Sequence, residues 1–173
     1  MIHAIVDRAR PVRADFVHVR NKQLEGRSLL ELTRWFVSAR YRVVVNTRCD
    51  VALAAGAAGL HLPGNWIDLS RYRAIVPAGF LLGASCHSRE DLLRAQAEGA
   101  DYAYLSPVFA PLSKHDERPP LGLDGFSRMV AGLTIPVLAL GGVTAERIPE
   151  CLAAGAAGVA GISLADELSQ LTS

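Results

Sequence analysis

Cysteine is scarce: Cys49, Cys86 and Cys151 are all there is, an odd number, far apart and without a CxxC pair. That excludes a disulfide framework and a zinc ribbon, and Cys49 and Cys151 read as small buried core residues. Long apolar runs are absent too. Nothing approaches the roughly 20 residues that a membrane span needs, and the opening MIHAIVDRAR lacks the zones of a signal peptide, so a cytoplasmic location without membrane contact is expected. An excess of charge of one sign is also missing. Eighteen Lys and Arg stand against 17 Asp and Glu, for a net charge of +1, and the cations are scattered. This leaves no electrostatic footprint for nucleic acid. No G-x-G-x-x-G follows the first apolar segment, which argues against a doubly wound dinucleotide-binding sheet.

What is present is periodic. The seven residues LAAGAAG occur at 53–59 and again at 152–158, each time running into a short apolar segment. Ala and Leu favour helix, and Gly56 and Gly155 stand where a left-handed residue would end one. AQAEGADYAYL is a looser third copy, with Gly99 as terminator. Helix, glycine, strand is therefore a repeated unit. Strands are predicted at His3–Asp7, Asp15–Arg20, Arg42–Asn46, Gly59–Leu62, Leu81–Ser85, Tyr102–Ser106, Val137–Leu140 and Val159–Ile162. All are short and mostly apolar, as expected of strands covered on both faces. Ser28 to Glu31 and Ser88 to Asp91 read as capping boxes opening helices. Thr144 and Ser163 read as N-caps, and Asp124 as the start of the helix before Leu133. Eight alternations within 173 residues predict one α/β domain, residues 1–173, folded as a compact (β/α)8 TIM barrel. Such barrels usually need at least about 200 residues. The shortage falls between the first two strands, where RARPVRA is too short for a covering helix.

In a barrel the reactive groups stand at the C-terminal strand ends. The second strand, FVHVRNK, places His18, Arg20 and Lys22 on one face, opposite Val17 and Val19. Three converging cations call for an anionic ligand. The third strand ends at Asn46, Thr47 and Arg48. The fourth presents His61, which reads equally as a ligand contact or a core histidine. The fifth ends GASCHS: Ser85 and His87 share a face, and an imidazole there can exchange protons near neutral pH. The long loop after the sixth strand offers Ser113 and Lys114 to a phosphate. The last two strands end in Gly141-Gly142 and Gly161-Ile162-Ser163, where backbone N–H groups beside a helix start form an anion cradle.

Taken together these segments resemble the thiamine-phosphate synthase/TenI family. VHVRNK is similar to its V-Q-L-R-x-K strand. VVNTRCDVALAAGAAGLHL resembles I-N-D-R-x-D-L-A-L-x-x-G-A-D-G-V-H-L. GASCHSREDLLRAQAEGADYAYLSPVF resembles G-x-S-x-H-S, a helix, then G-A-D-Y-x-x-x-G-P-V-F, and PVLALGG with the closing GVAGIS resembles P-V-x-A-I-G-G-I with G-V-A-V-I-S. The resemblance spans nearly the whole chain in order, and implies a TIM barrel acting in thiamine biosynthesis. It implies two reactions. The synthase joins a hydroxymethylpyrimidine diphosphate to a thiazole phosphate, with magnesium neutralising the leaving diphosphate. The TenI branch aromatises a thiazole carboxylate phosphate by a metal-free 1,3-proton shift.

The two Asp positions that the resemblance assigns to magnesium are Thr47 and Trp66 here, with Asp68 two residues further on, and the pyrimidine-side glutamine is His18. The thiazole-phosphate half, Ser113, Lys114, Gly142, Ile162 and Ser163 with His87, is kept. This pattern implies a tautomerase-like isomerase without metal or cofactor. His87 would move the proton, Ser85 would orient substrate or imidazole, and Lys22 or Lys114 would hold the carboxylate; His18, Arg20, Asn46, Gly141 and Gly161 complete the expected contacts. The alternatives are the synthase, a magnesium-dependent transferase with Asp68 as the candidate metal ligand, and a noncatalytic binder of thiazole or thiamine phosphates. The ligand in every case is a phosphorylated heterocycle. The thin patch at the missing first helix predicts a partner subunit, giving a homodimer.

Overall fold

A computed structural model describes residues 1–66, 68–110, 118–164, 166 and 167. Eight strands run in chain order: β1 (Ile2–Val6), β2 (Phe16–Val19), β3 (Val43–Asn46), β4 (Gly59–Leu62), β5 (Leu81–Cys86), β6 (Tyr102–Leu105), β7 (Val137–Ala139) and β8 (Gly158–Gly161). Every neighbour pairs in parallel, and β1 pairs with β8, so the sheet closes into a barrel of the predicted strand order. The helices are α1 (Gly26–Ser38), α2 (Cys49–Ala55), α3 (Leu69–Arg73), α4 (Arg89–Ala97), α5 (Gly122–Val130) and α6 (Ile148–Ala153), the last preceded by a 3₁₀ turn at Ala145–Arg147. Among the described residues none is long and apolar enough to cross a membrane.

The repeated LAAGAAG does what its glycines require. Gly56 and Gly155 have φ of 68° and 97°, the left-handed conformation that ends a helix and turns the chain into the next strand. Ser88 forms the expected capping box, its hydroxyl accepting from the Asp91 N–H at 3.1 Å while Asp91 accepts from the Ser88 N–H. The box expected at Ser28 does not form. α1 begins at Gly26, two residues earlier, so Ser28 is already inside the first turn, and its N-cap Glu25 makes no side-chain cap bond. α5 likewise starts at Gly122 rather than Asp124, and Thr144 makes no side-chain cap bond. Cys151 is buried as expected, but Cys49 is only half-buried, because it opens α2 at the barrel rim.

No helix joins β1 to β2. The connecting segment instead lays Val12 into the core, 7% exposed, and donates its N–H to the Tyr41 hydroxyl at 3.2 Å. The barrel face expected to lie bare there is therefore closed by the loop itself.

Strand alternation sorts the side chains into two layers. Val17, Val19, Val43, Val45, Leu60, Leu82, Leu105 and Val159 face the helices in one continuous apolar cluster. The lumen holds Ile5, Leu138 and Ala160 with Tyr102 and Tyr104, and with them the buried His3, His18 and His61. Barrel lumens are usually filled by branched aliphatic residues; here five polar rings do the filling. Gly83 makes room for one of them, since a Cβ there would collide with the Tyr102 ring.

Candidate active site

A cavity of about 700 Å³ opens at the C-terminal end of the barrel. Its floor is the upper edge of the lumenal rings. The Tyr104 hydroxyl lies 2.7 Å from His18 Nε2 and 2.9 Å from His3 Nδ1, and the two histidine nitrogens are themselves 2.9 Å apart. A second chain runs from the Tyr102 hydroxyl to His61 Nδ1 at 3.0 Å, and from His61 Nε2 to Ser85 Oγ at 2.9 Å. Burial pushes His3 and His61 down to about 3, against an opposing pull from Asp15 on His3, and drives His18 well below its ordinary value. Burial also raises both tyrosines. The floor therefore presents neutral donors and acceptors, not charges.

The wall at β5 is different. His87 is half-buried and its Nδ1 sits 2.9 Å from the Ser106 carbonyl oxygen. A carbonyl can only accept, so Nδ1 carries a hydrogen. The His87 backbone N–H donates to Asp91 Oδ2 at 2.8 Å, tying the residue to the capping box of α4. Gly64 packs on the opposite edge: a Cβ there would lie 3.0 Å from His87 Cδ2 and 3.1 Å from Nε2. The imidazole is thus held at its Nδ1 edge by the Ser106 carbonyl and flanked at its Cδ2–Nε2 edge by Gly64, and both His87 and Gly64 line the cavity.

The rim is cationic. Arg20, Lys22, Arg48 and Arg118 line the cavity, and among the described residues no carboxylate does. Asp50 lies near it but is engaged by Arg48, at 2.8 Å and 2.5 Å, and that guanidinium holds its carboxyl down at about 2. Asp68 caps α3, accepting from the Ser70 N–H at 2.8 Å. Asp7 borders only a smaller adjoining cavity, beside Arg20 and Lys22. No group of three or more His, Cys, Asp or Glu is placed to share a metal ion among the described residues.

Of the residues expected at the site, His18, Arg20, Lys22, Asn46, Ser85, His87, Gly141 and Ile162 line the cavity together. Gly142, Gly161 and Ser163 are not among its lining residues. Gly142 is pressed against the carbonyl of Ala110 and the side chain of Phe109, and Gly161 against Leu164, so close packing requires both glycines. Ser113 and Lys114 lie outside the described residues. Tyr104, Ser106, Gly64 and Arg118 are site residues that the sequence reading passed over. Tyr104 and Ser106 alternate with Ala103 and Leu105, so the period of two along β6 already placed them inward.

Comparison with known proteins agrees with this architecture. The thiamine monophosphate synthase family profile matches residues 1–165. A thiamine-phosphate synthase of Methanoculleus marisnigri is 46% identical over 154 residues, covering 87% of this chain and 73% of its own. A putative thiamine-phosphate synthase of Geobacter sulfurreducens is 42% identical over 164 residues, covering 92% and 77%. Among solved structures, the thiamine phosphate pyrophosphorylase from Pyrococcus furiosus superposes with a TM-score of 0.81 at 28% identity, covering 98% of this chain and 90% of that one. A closed eight-stranded barrel, a cation-rimmed mouth and these matches along nearly the whole chain lead to one conclusion: the chain belongs to the thiamine monophosphate synthase/TenI family.

Proposed function

We propose that the chain is a transferase of thiamine biosynthesis that joins a pyrimidine diphosphate to a thiazole phosphate. The names of its relatives support this, and the observation that carries it is the rim. Two phosphorylated substrates bring a large negative charge to one mouth, and Arg20, Lys22, Arg118 and an Arg48 shared with Asp50 line it, with no carboxylate among the described lining residues. In the reaction the carbon–oxygen bond from the pyrimidine methylene to diphosphate breaks, and the thiazole nitrogen forms a bond to that methylene. The electron pair leaves with the diphosphate, so stabilising charge on the departing group is the main task.

Magnesium is the group the family implies for that task. A magnesium ion held by two carboxylates does not fit the residues present: the positions concerned are Thr47 and Trp66, and Asp68 is spent on capping α3. Guanidinium and ammonium groups are left to carry the charge. Arginine suits this, because its planar fork matches phosphate oxygens.

A second reading, a metal-free tautomerase acting on a thiazole carboxylate phosphate, is favoured by one observation, a cavity-lining His87 whose Nδ1 is occupied by the Ser106 carbonyl, so that Nε2 is the nitrogen left to act as base. A 1,3-proton shift needs such a base and an anion anchor but no metal. In that role His87 removes and returns the proton, and Ser85, oriented by His61, holds the ring.

Turnover of both substrate sets with and without EDTA tests the two readings. Release of diphosphate from the synthase pair supports the first, and its absence together with metal-free isomerisation lost in His87→Asn supports the second. Binding of a thiazole phosphate with neither reaction would reject both and leave a ligand-binding protein.

A further inference from the structure

Trp66 is 5% exposed, on the segment between β4 and α3, and its indole does not simply fill space. Its Nε1–H donates to Glu98 Oε2 at 2.8 Å, and the Leu69 N–H donates to the same oxygen at 3.0 Å. Glu98 stands at the C-cap of α4, some thirty residues away in sequence. Its other oxygen accepts from Arg94 Nε at 2.6 Å. Arg94 completes the knot: its guanidinium carbon lies 4.6 Å from the Trp66 ring centroid and its Nη2 donates to the Trp66 carbonyl at 3.1 Å. Burial would raise the Glu98 carboxyl, but the bonds from Arg94, Leu69 and Trp66 outweigh it and hold the group below its usual range. Charge-assisted bonds of this kind are the strong ones.

The two elements joined here are the two that frame the base. Gly64 lies two residues before Trp66 and rests on the His87 ring edge, while His87 stands immediately before the Ser88 cap of α4. The geometry points to Glu98 as a positioning residue: with Trp66 and Arg94 it fastens the segment carrying Gly64 to α4 and so sets how the His87 imidazole is walled on the side of Nε2. At the position where the resemblance calls for a metal-binding carboxylate, this chain has a latch. The effect on catalysis rests on the reading that His87 faces substrate; the effect on the ring does not.

The test uses the full chain with isotope-labelled histidine and reads the His87 ring resonances by NMR, beside kcat and KM for whichever substrate set the wild type turns over. In Glu98→Ala the ring resonances move, while backbone amides on α1 and α2 stay in place. Trp66→Phe, which removes one donor only, moves them in the same direction by less. Glu98→Gln keeps an acceptor for Trp66 and Leu69 and restores most of the wild-type position. Turnover in Glu98→Ala falls about 10-fold in kcat with KM within about 2-fold, as misplacement of a reacting group predicts. Wild-type His87 resonances in folded Glu98→Ala and Trp66→Phe overturn the proposal, and if Glu98→Ala does not fold, Trp66→Phe decides by the same criterion. A wild type that turns over neither substrate set refutes the proposed function, while the resonances still decide the latch.

Discussion

Thr47 sits on the cavity wall with φ of 64°. The Arg48 N–H reaches the Asn46 carbonyl at 2.8 Å around it, so the chain makes a tight three-residue turn of the strained hand. For a β-branched residue this backbone is a genuine outlier, at a cost of about 1–3 kcal/mol. The Thr47 hydroxyl recovers part of that by donating to the Asn46 carbonyl at 2.6 Å. Comparing Thr47→Gly with Thr47→Ala isolates the backbone term, because both lose the hydroxyl equally. At an ordinary position alanine is the more stable of the two by roughly 0.4–1 kcal/mol, through the unfolded chain. Here the order should reverse, with the glycine variant ahead by about 1 kcal/mol. Urea unfolding with an unchanged slope reads this directly, and thermal midpoints should differ by about 2–4 °C for a chain of this size. An alanine variant equal to or more stable than the glycine variant would refute strain at this turn.

Four further outcomes follow from the site. Asp in place of Thr47 introduces a carboxylate beside Arg20, Lys22 and Arg48, so diphosphate release by that variant should respond to added magnesium more than the wild type does, checked by titrating the metal into the assay. His87→Asn should lower any metal-free isomerisation about 100-fold or more, the usual scale for losing a general base, while leaving diphosphate release from the synthase pair far less affected, checked by assaying both substrate sets. Gly64→Ala places a methyl group 3.0–3.1 Å from the His87 ring, so kcat should fall while circular dichroism stays native, since Gly64 needs no positive φ. Stability should rise with pH in the weakly acidic range. His3 and His61 are pushed down to about 3 in the fold against about 6.5 in the unfolded chain. Below about 6.5 the unfolded state therefore takes up protons that the folded state refuses, and stability is lost as pH falls at about 1.4 kcal/mol per unit for each such histidine. Urea midpoints between about pH 7 and pH 5 check the slope, which His61→Asn should reduce by one histidine's share.

The strands were legible because apolar runs and helix-ending glycines recur: Gly56, Gly99 and Gly155 all take positive φ before the strands they introduce. Helix starts were less so. α1 begins at Gly26, with Leu29, Thr33 and Phe36 buried, and that burial outweighed the local pull of Ser28 as a cap. Arg20, Lys22, Ser85 and His87 could be placed on the cavity side from the period of two alone. What pattern could not supply were partners distant in sequence. Trp66 read only as a lost carboxylate, because its bond to Glu98 spans 32 positions. His18 and His61 read as separate candidates because nothing local joins rings that meet only across the lumen, with Tyr104 lying 4.3 Å from His61 and 5.2 Å from His18 between ring centroids. Nor could pattern show the packing reason for the glycines of the seventh loop, since the Cβ-less faces of Gly141 and Gly142 are taken up by Pro107 and Ala110 of the β6 loop.

The division between floor and rim narrows what the site can do. A histidine held neutral by burial cannot collect a proton near neutral pH without most of the desolvation cost that depressed it, so His3, His18 and His61 are poor acids and bases despite their number. Their tautomers are also constrained by one another and by Tyr102 and Tyr104, which suits them to hydrogen-bond an uncharged heterocycle. Charge is found a layer higher, where Arg20, Lys22, Arg48 and Arg118 line the mouth, and the proposed function puts the phosphate oxygens of its substrates there. Between the layers stands His87, half-buried on the cavity wall with its Nδ1 held by a backbone carbonyl, and the proton-shift reading proposed above would place the base there. A ligand with a neutral ring and an anionic tail fits this order from floor to rim, and the proposed function accordingly predicts that such a ligand binds with its ring toward Tyr104 and its phosphate toward Arg20 and Lys22.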